Sequence, residues 1–194
     1  IMKRYDATPE MFYHRLTNIL PHFFGMRKLF FFRFVHNPEQ DRFEMDKELH
    51  LNHHHRPHGN GLFEHYCRRW VSISLLKDIH HLQQEGKFVD TIVRAQLSQY
   101  IGTEDRYLCL TIARPAYPKP NRNVSVTLGL LVNEELRRRI RFLDDPAIIR
   151  RSVHTTCERC ALEQCRERAA PPAVVERRRR QQRIQQRVQE LLKK

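Results

Sequence analysis

The stretch Y-L-C-L-T-I-A at residues 107–113 decides which folds this chain of 194 residues can adopt. Aromatic and β-branched residues dominate it, as is typical of strands. Segments of similar composition lie on either side, at residues 89–101 and 124–132. Residues 102–105, G-T-E-D, predict a tight hairpin before the stretch, and the proline-rich residues 115–123 predict a longer exposed connection after it. The sequence therefore predicts three neighbouring antiparallel strands.

A buried strand and a long helix are predicted upstream. Residues 29–35 form a dense run of Phe and Leu, which is typical of a buried strand. From residue 63 to residue 84 apolar side chains recur every three or four positions, which predicts a helix with one buried face. The polar stretch between them is interpreted as a solvated loop, with metal binding, pH sensing or the lining of a ligand pocket as alternatives. Its histidines are His50, His53, His54, His55, His58 and His65.

Shorter helices are predicted elsewhere, and together with the strands they indicate the fold class. Thr8 followed by Pro9 is a favourable helix start, and Asn133 is a favourable cap for a helix over 134–142. The order of helix, strand, loop, long helix, three strands and helix favours an α+β fold over a parallel, doubly wound one. We expect a GAF/PAS-like antiparallel sheet with the long helix packed on it, and a basic helix over 173–194.

The charge is concentrated near the C-terminal end. The chain carries a net charge of +13, and residues 166–194 hold ten basic residues against three acidic ones. Because the rest is only mildly basic, charge alone does not predict a DNA-binding domain. We interpret the basic tail as a solvated helix, with non-specific phosphate binding as the alternative. No apolar run approaches the length of a membrane span, so we expect a cytoplasmic protein without a membrane partner.

Three cysteines near the C-terminal end, Cys157, Cys160 and Cys165, form a C-x2-C-x4-C cluster. Five cysteines in all, with no signal peptide at the start, are too few for a disulfide scaffold. A structural zinc site is therefore the leading interpretation, and its tetrahedral geometry requires a fourth ligand from elsewhere in the fold. An iron–sulfur cluster and a redox switch are the alternatives.

Catalysis has little support in the sequence. The chain contains no G-x-S-x-G, no P-loop and no pair of acids beside a nucleophile. We therefore expect that it is not an enzyme.

Four segments together resemble a known family. They are C-R-R-W at 67–70, Y-L-C-L-T-I-A-R at 107–114, T-L-G-L at 127–130, and the C-x2-C-x4-C-x2-R-A-x-P-P pattern at 157–172. They are similar to motifs in the C-terminal sensory domain of the short-chain fatty acyl transcriptional regulators. The last motif is specific, whereas the strand motifs alone are weak. The resemblance covers roughly residues 60–172.

The resemblance supplies Cys67 as the fourth zinc ligand. Its place one turn before Trp70, on the inward face of the predicted helix, agrees with that role. A site of four thiolates would fasten the C-terminal segment to the domain, and its metal-binding free energy would act as folding free energy. His154, His65 and Cys109 are the other candidates for this position.

The family's architecture also implies the domain organisation. Members carry an XRE-type helix-turn-helix and an ImmA/IrrE-like metallopeptidase-related segment before the sensory domain. This chain has neither a helix-turn-helix nor an H-E-x-x-H, and it looks like a fragment of a longer protein. We expect residues 1–25 to be the last helix of the peptidase-related segment, residues 26–172 the sensor domain with its zinc site, and residues 173–194 a basic helix.

The functional expectation is a regulatory, ligand-sensing domain of a bacterial transcription regulator. DNA would be bound by the helix-turn-helix domain absent from this chain, the effector would be a short-chain acyl-CoA or another small metabolite, and the protein would be a homo-oligomer. The expected ligand pocket lies between the sheet and the long helix, with Phe32, Arg69, Trp70 and Arg114 as its residues. A zinc-stabilised interaction or dimerisation module without a ligand, and part of a degenerate metallopeptidase, are the alternatives.

Overall fold

The computed structural model of the chain describes residues 2–51, 63–117 and 121–193. These residues form two compact units. Unit 1 comprises the described residues up to 51 together with 69–117 and 121–153. Unit 2 comprises residues 63–68 together with 154–193.

Unit 1 is an α+β unit, and unit 2 contains one long helix. The helices are α1 (Pro9–Phe24), α2 (Val71–Gln84), α3 (Glu134–Arg139) and, in unit 2, α4 (Ala173–Leu192). The strands are β1 (Leu29–Asn37), β2 (Arg42–His50), β3 (Ile92–Tyr100), β4 (Arg106–Pro115), β5 (Asn123–Leu131) and β6 (Ile149–Val153). Short 3-10 turns occur at Lys3–Tyr5 and Pro38–Gln40.

The six strands form a single mixed sheet in the order β2-β1-β5-β4-β3-β6. Every neighbouring pair is antiparallel except β3 and β6, which are parallel. The three strands predicted around residues 107–113 are confirmed as β3, β4 and β5. The predicted fold, a GAF/PAS-like antiparallel sheet closed by a zinc site, is wrong, whereas its α+β class is confirmed.

The sequence did not predict β2 and β6, and both lie at the edges of the sheet. β2 alternates charged residues with few apolar ones, and only Phe43 in it is buried. It forms because the turn at Pro38–Gln40, followed by Asp41 with a φ of 43°, returns the chain alongside β1. β6 has two arginines among five residues and pairs with β3 through a parallel ladder. Composition alone identifies neither as a strand, because edge strands need little apolar surface.

The helix α2 is shorter than predicted. It begins at Val71, because Trp70 has an extended backbone with φ −64° and ψ 135°. The prediction that Cys67 lies on the inward face of this helix is therefore wrong. The predicted end is confirmed, since Gly86 adopts a φ of 71° just after the helix. The predicted caps of α1 and α3 are also confirmed, since Thr8 and Asn133 accept the N–H groups of Met11 and Leu136.

The sheet is packed on both faces. On one face, α1 and α3 contribute Tyr13 and Leu136 to an apolar core with Leu108 and Leu128 of the sheet. The other face packs against α2, whose buried residues include Val71, Ile73, Leu75, Leu76 and Ile79. Successive residues of β1 therefore serve opposite cores, as the pleat of a strand requires.

Gly129 is required where β1 and β5 approach each other on the α2 face. It pairs with Phe30 in the antiparallel register, and the Phe30 ring lies over the glycine. A Cβ atom at this position would overlap the ring. The ring also stacks on Phe32 at 4.9 Å between centroids, so it has little freedom to move aside.

We expect Gly129→Ala to destabilise the protein by about 1–3 kcal/mol, the usual cost of overpacking a filled core. Urea unfolding followed by circular dichroism measures this change. The double variant Phe30→Leu with Gly129→Ala is the matched control, because the smaller side chain leaves room for the added methyl group. Equal destabilisation by Gly129→Ala in both backgrounds would contradict the steric explanation.

Candidate functional site

The cysteine-rich segment lies in unit 2, where it is held to residues 63–67 by hydrogen bonds. An isolated antiparallel bridge joins Tyr66 to Thr156. Beside it, the Cys67 N–H donates to the Thr155 carbonyl at 3.1 Å. Two segments that are about 90 residues apart in the chain are thereby joined through their backbones.

The structure contradicts the predicted zinc site. Within residues 2–51, 63–117 and 121–193, no group of three or more His, Cys, Asp or Glu side chains is placed to hold a metal ion. The five cysteines are free thiols. The predicted zinc cofactor is therefore wrong, and with it the role of Cys67, Cys157, Cys160 and Cys165 as its ligands.

The cysteines have other surroundings. Cys67, Cys157 and Cys160 are buried as small side chains, and the Cys157 Sγ accepts the N–H of Ala169 at 3.4 Å. Cys109, a candidate for the fourth ligand, lies in unit 1. Burial raises the pKa of its thiol to about 12, so it stays protonated.

Two carboxylates fasten residues 63–67 to the C-terminal segment. Glu64 accepts two hydrogen bonds from the Arg159 guanidinium, at 2.7 and 2.8 Å, and one from the Thr156 hydroxyl at 2.7 Å. This hydrogen bonding raises the pKa of Arg159. Glu158 accepts the N–H of His65 and contacts its Nδ1 at 2.7 Å. Because both carboxylates are largely buried, these pairs are worth more than exposed ion pairs.

Arg168 organises the loop that carries the cysteines. Its guanidinium donates to the carbonyl of Cys157 at 3.0 Å, to that of Cys160 at 3.3 Å, and to that of Leu162. Three backbone acceptors in a short loop are thus satisfied by one side chain. The planar fork of an arginine can make this set of bonds, whereas a lysine cannot reproduce it.

We expect Arg168→Gln to expose the thiols of Cys157 and Cys160. Losing hydrogen bonds to a charged group costs about 2 kcal/mol, so local opening should accelerate alkylation roughly tenfold or more. Iodoacetamide labelling resolved by peptide mass spectrometry measures each site. Arg166→Gln is the matched control, since Arg166 is an exposed arginine two residues away. Equal labelling rates in the two variants would contradict this role for Arg168.

His154 is a half-buried titratable group of unit 2. Burial lowers its pKa from 6.5, and the nearby cations Arg159 and Arg178 lower it further. Its Nδ1 accepts the N–H of Thr155 at 2.9 Å, which requires the neutral ring. The neutral form therefore belongs to the folded state. Between the folded pKa and 6.5 the unfolded chain binds more protons, so folding stability decreases as the pH falls through this window.

We expect the melting temperature to fall when the pH is lowered from about 7.5 to about 5.5, and His154→Phe to reduce that fall. The phenyl ring fills a similar volume but takes up no proton. Calorimetry on the two proteins measures the difference. The exposed His81 provides the control, since His81→Gln should leave the wild-type pH dependence in place. An unchanged pH dependence in His154→Phe would disprove this assignment.

The structure divides the predicted pocket residues between different places. Phe32 and Trp70 stack at 5.4 Å on the α2 face, where both are almost fully buried. Arg69 precedes α2, and its carbonyl accepts a hydrogen bond from Gln96. Arg114 lies on the opposite face of the sheet, in a cavity with residues of α1. The four residues are therefore not brought together, and their role in ligand binding stays a prediction.

The cavity around Arg114 is the best candidate site in unit 1. It has a volume of about 70 Å³ and lies where the N-terminal end of α1 crosses β1, β5 and β4. Its floor is apolar, with Ile112, Val124 and Val126. Its walls carry Pro9, Glu10, Arg33, Arg114, Ala116 and Tyr117. Since about 10–15 Å³ of such space holds one water molecule, this cavity has room for a small polar group.

Positive charge prevails at this cavity. Arg33 contacts Glu10 at 3.1 Å and Asp46 at 3.7 Å, and Lys47 also pairs with Glu10. Burial raises the pKa of Asp46, although Arg33 opposes this change. Among the residues that the structure describes, the Arg114 guanidinium has no acidic partner. The N-terminal end of α1 adds the positive end of a helix dipole.

Sequence reasoning did not identify Arg33 and Glu10 as site residues. One signal was present, because Arg33 is the only charged residue in the apolar run at 29–35. A charge inside a buried strand requires a partner or a cavity. The pairing of β1 with β5 and the placement of α1 over them were needed to show that Arg33 has both an acidic partner and a cavity.

Two other predicted features have partial outcomes. His50 ends β2, and His65 pairs with Glu158, while the other histidines of the predicted loop lie outside the described residues. The basic terminal helix is confirmed as α4, which has six arginines and two glutamates. Ile184, Val188 and Leu191 of α4 are exposed. The predicted homo-oligomer stays a prediction.

Comparisons with known proteins found a similar fold but no related sequence. The chain matches no protein-family model and no curated protein sequence. Its structure is similar to a solved structure described as "Mycobacterium tuberculosis transcriptional regulator", with a TM-score of 0.53 and 14% sequence identity. The match covers 88% of this chain and 48% of that one, so the chain spans about half the length of that protein. At this identity the likeness concerns the fold.

Membrane insertion of a helix finds no support in the described residues. In that part of the chain, every helix is too short or too polar to span a bilayer.

Proposed function

We propose that this chain is a regulatory domain of a transcription regulator, in which it responds to a small-molecule effector. The observation that carries the proposal is the fold, which extends over most of this chain and about half of a protein described as a transcriptional regulator. DNA is bound by another domain of the full-length protein, and the site of action is cytoplasmic. The proposal assigns no catalytic step to these residues.

The cavity at the N-terminal end of α1 supports a ligand-binding role. It combines an apolar floor with two arginines, which is a common composition of small-molecule sites. It also joins a helix near the start of the chain to three strands of the sheet, so a bound molecule contacts both. The short-chain acyl-CoA implied by the family resemblance, or another small metabolite, is the proposed effector.

Regulation follows from a population shift. A ligand changes the output only if it binds one arrangement of the domain more tightly than another. A difference of about 1–3 kcal/mol between two arrangements is the usual size of such coupling. α1 is the element on which that difference can act, since it packs on the sheet through Tyr13 and borders the cavity through Glu10.

Chromatin immunoprecipitation of the native full-length protein tests the regulatory role. We expect enrichment at a small set of promoters, because specific binding exceeds non-specific binding by about 10³–10⁷ in affinity. Transcripts from those promoters should change when the gene is deleted. A strain with the untagged protein is the control. Uniform background occupancy, with no transcript responding to the deletion, would contradict the proposal.

A further inference from the structure

We propose that the cavity at the N-terminal end of α1 binds an oxyanion group of the effector, a carboxylate or a phosphate, between Arg33 and Arg114. In the ligand-free protein, Glu10 takes the place of this group on Arg33. This inference rests on the proposed function, because it names the chemistry that the regulatory site recognises.

The position of the two arginines is the first argument. Arg33 lies on β1 and Arg114 on β4, and both strands pair with β5 between them. In the registers of these pairs, Arg33 faces Val126 and Arg114 faces Val124. The two guanidinium groups therefore flank the same stretch of β5. An arginine presents its N–H groups as a planar fork, which matches carboxylate and phosphate geometry.

The charge of Arg114, which no described acid compensates, is the second argument. Arg114 lines the cavity without an acidic partner among the residues that the structure describes. A half-buried cation beside an apolar floor is poorly solvated, so an anion of suitable size gains from binding there. The α1 N-terminus adds a favourable dipole, since α1 has 16 residues and its first turn borders the cavity.

The Glu10 carboxylate, which already occupies Arg33 as a ligand would, is the third argument. It contacts the Arg33 Nη1 at 3.1 Å and also pairs with Lys47, and it is itself part of the cavity wall. Glu10 thus presents to Arg33 the same kind of group that a ligand would bring. An incoming oxyanion exchanges one carboxylate contact of Arg33 for another and adds the contact to Arg114. Because Glu10 lies in the first turn of α1, this exchange alters how the helix is held.

Titration of the whole chain by nuclear magnetic resonance tests the inference, with sodium phosphate and sodium acetate as the two probes at constant ionic strength. We expect the Arg33 and Arg114 side-chain Nε–H signals and the Glu10 carboxyl carbon signal to shift together and saturably, with a dissociation constant of about 1–10 mM. Comparing the two titrations distinguishes a carboxylate from a phosphate, because the probe that binds more tightly identifies the preferred group. Both arms failing to saturate up to about 50 mM would overturn the inference.

Four variants, two of them controls, make the test specific. Arg114→Gln should weaken binding about tenfold or more, as expected for the loss of a charge-assisted contact. Arg106→Gln is its matched control, since Arg106 is an exposed arginine at the other end of β4 and should leave binding unchanged. Glu10→Gln should tighten binding severalfold, because the internal competitor loses its charge. Glu44→Gln, which removes an exposed acid of β2, should change binding little.

The outcomes separate this inference from the regulatory proposal. Saturable binding that is lost in Arg114→Gln supports the oxyanion site whatever the promoter data show. Equal binding by Arg114→Gln and Arg106→Gln, or no tightening in Glu10→Gln, would overturn the site or its internal competitor. If the oxyanion site is overturned in this way but the protein still occupies discrete promoters, the regulatory proposal is retained and the effector belongs to another ligand class.

Discussion

Strand β1 has to fill two cores at once, because its pleat sends Phe30, Phe32 and Phe34 to the α2 face and Leu29 and Phe31 to the other. Apolar burial on this scale stabilises by roughly 25 cal/mol per Å². The other elements of unit 1 are placed so that both faces of β1 are covered. β5 offers a glycine beneath one ring, α2 begins where Trp70 can stack on Phe32, and α1 closes the opposite face.

The same strand also holds the charge on which the candidate site depends. Arg33 interrupts the aromatic run and faces the α1 side, so a guanidinium stands within an otherwise apolar layer. Such a group has to be compensated, and the compensation comes from acids on two elements, Glu10 of α1 and Asp46 of β2. Structural and functional requirements therefore meet at one residue. The cavity lies directly beside this charged side chain.

Much of the fold could be predicted from local patterns. The strands β1, β3, β4 and β5 are rich in apolar, β-branched and aromatic residues, and α1 and α3 have caps that sequence alone identifies. β2 and β6 could not be found this way, since pairing with a neighbour and not their own composition makes them strands. α2 was predicted too long because residues 63–70 continue its apolar spacing, although residue 66 bridges to Thr156 instead.

The candidate site was predicted less well, for a physical reason. Cysteine spacing suggested metal binding, but spacing does not say whether thiols converge. Here Arg168 organises the cysteine loop through hydrogen bonds to its backbone, and the Glu64–Arg159 pair joins that loop to residues 63–67. Arg114 was identified as a pocket residue, yet its neighbours Glu10 and Arg33 come from other elements. Only the strand registers and the placement of α1 reveal that these three residues share a cavity.

The discontinuity of unit 2 has a consequence for how the protein is made. Glu64 finds its partner Arg159 only after 95 further residues have been synthesised. Closing such a loop carries an entropic cost that grows slowly, as about (3/2)RT ln n, but synthesis itself imposes a wait. At about 5–20 residues per second, residues 63–68 stay without their partners for several seconds while unit 1 emerges. Unit 2 therefore assembles after unit 1 has been synthesised, and a chain truncated before residue 154 lacks the larger part of unit 2.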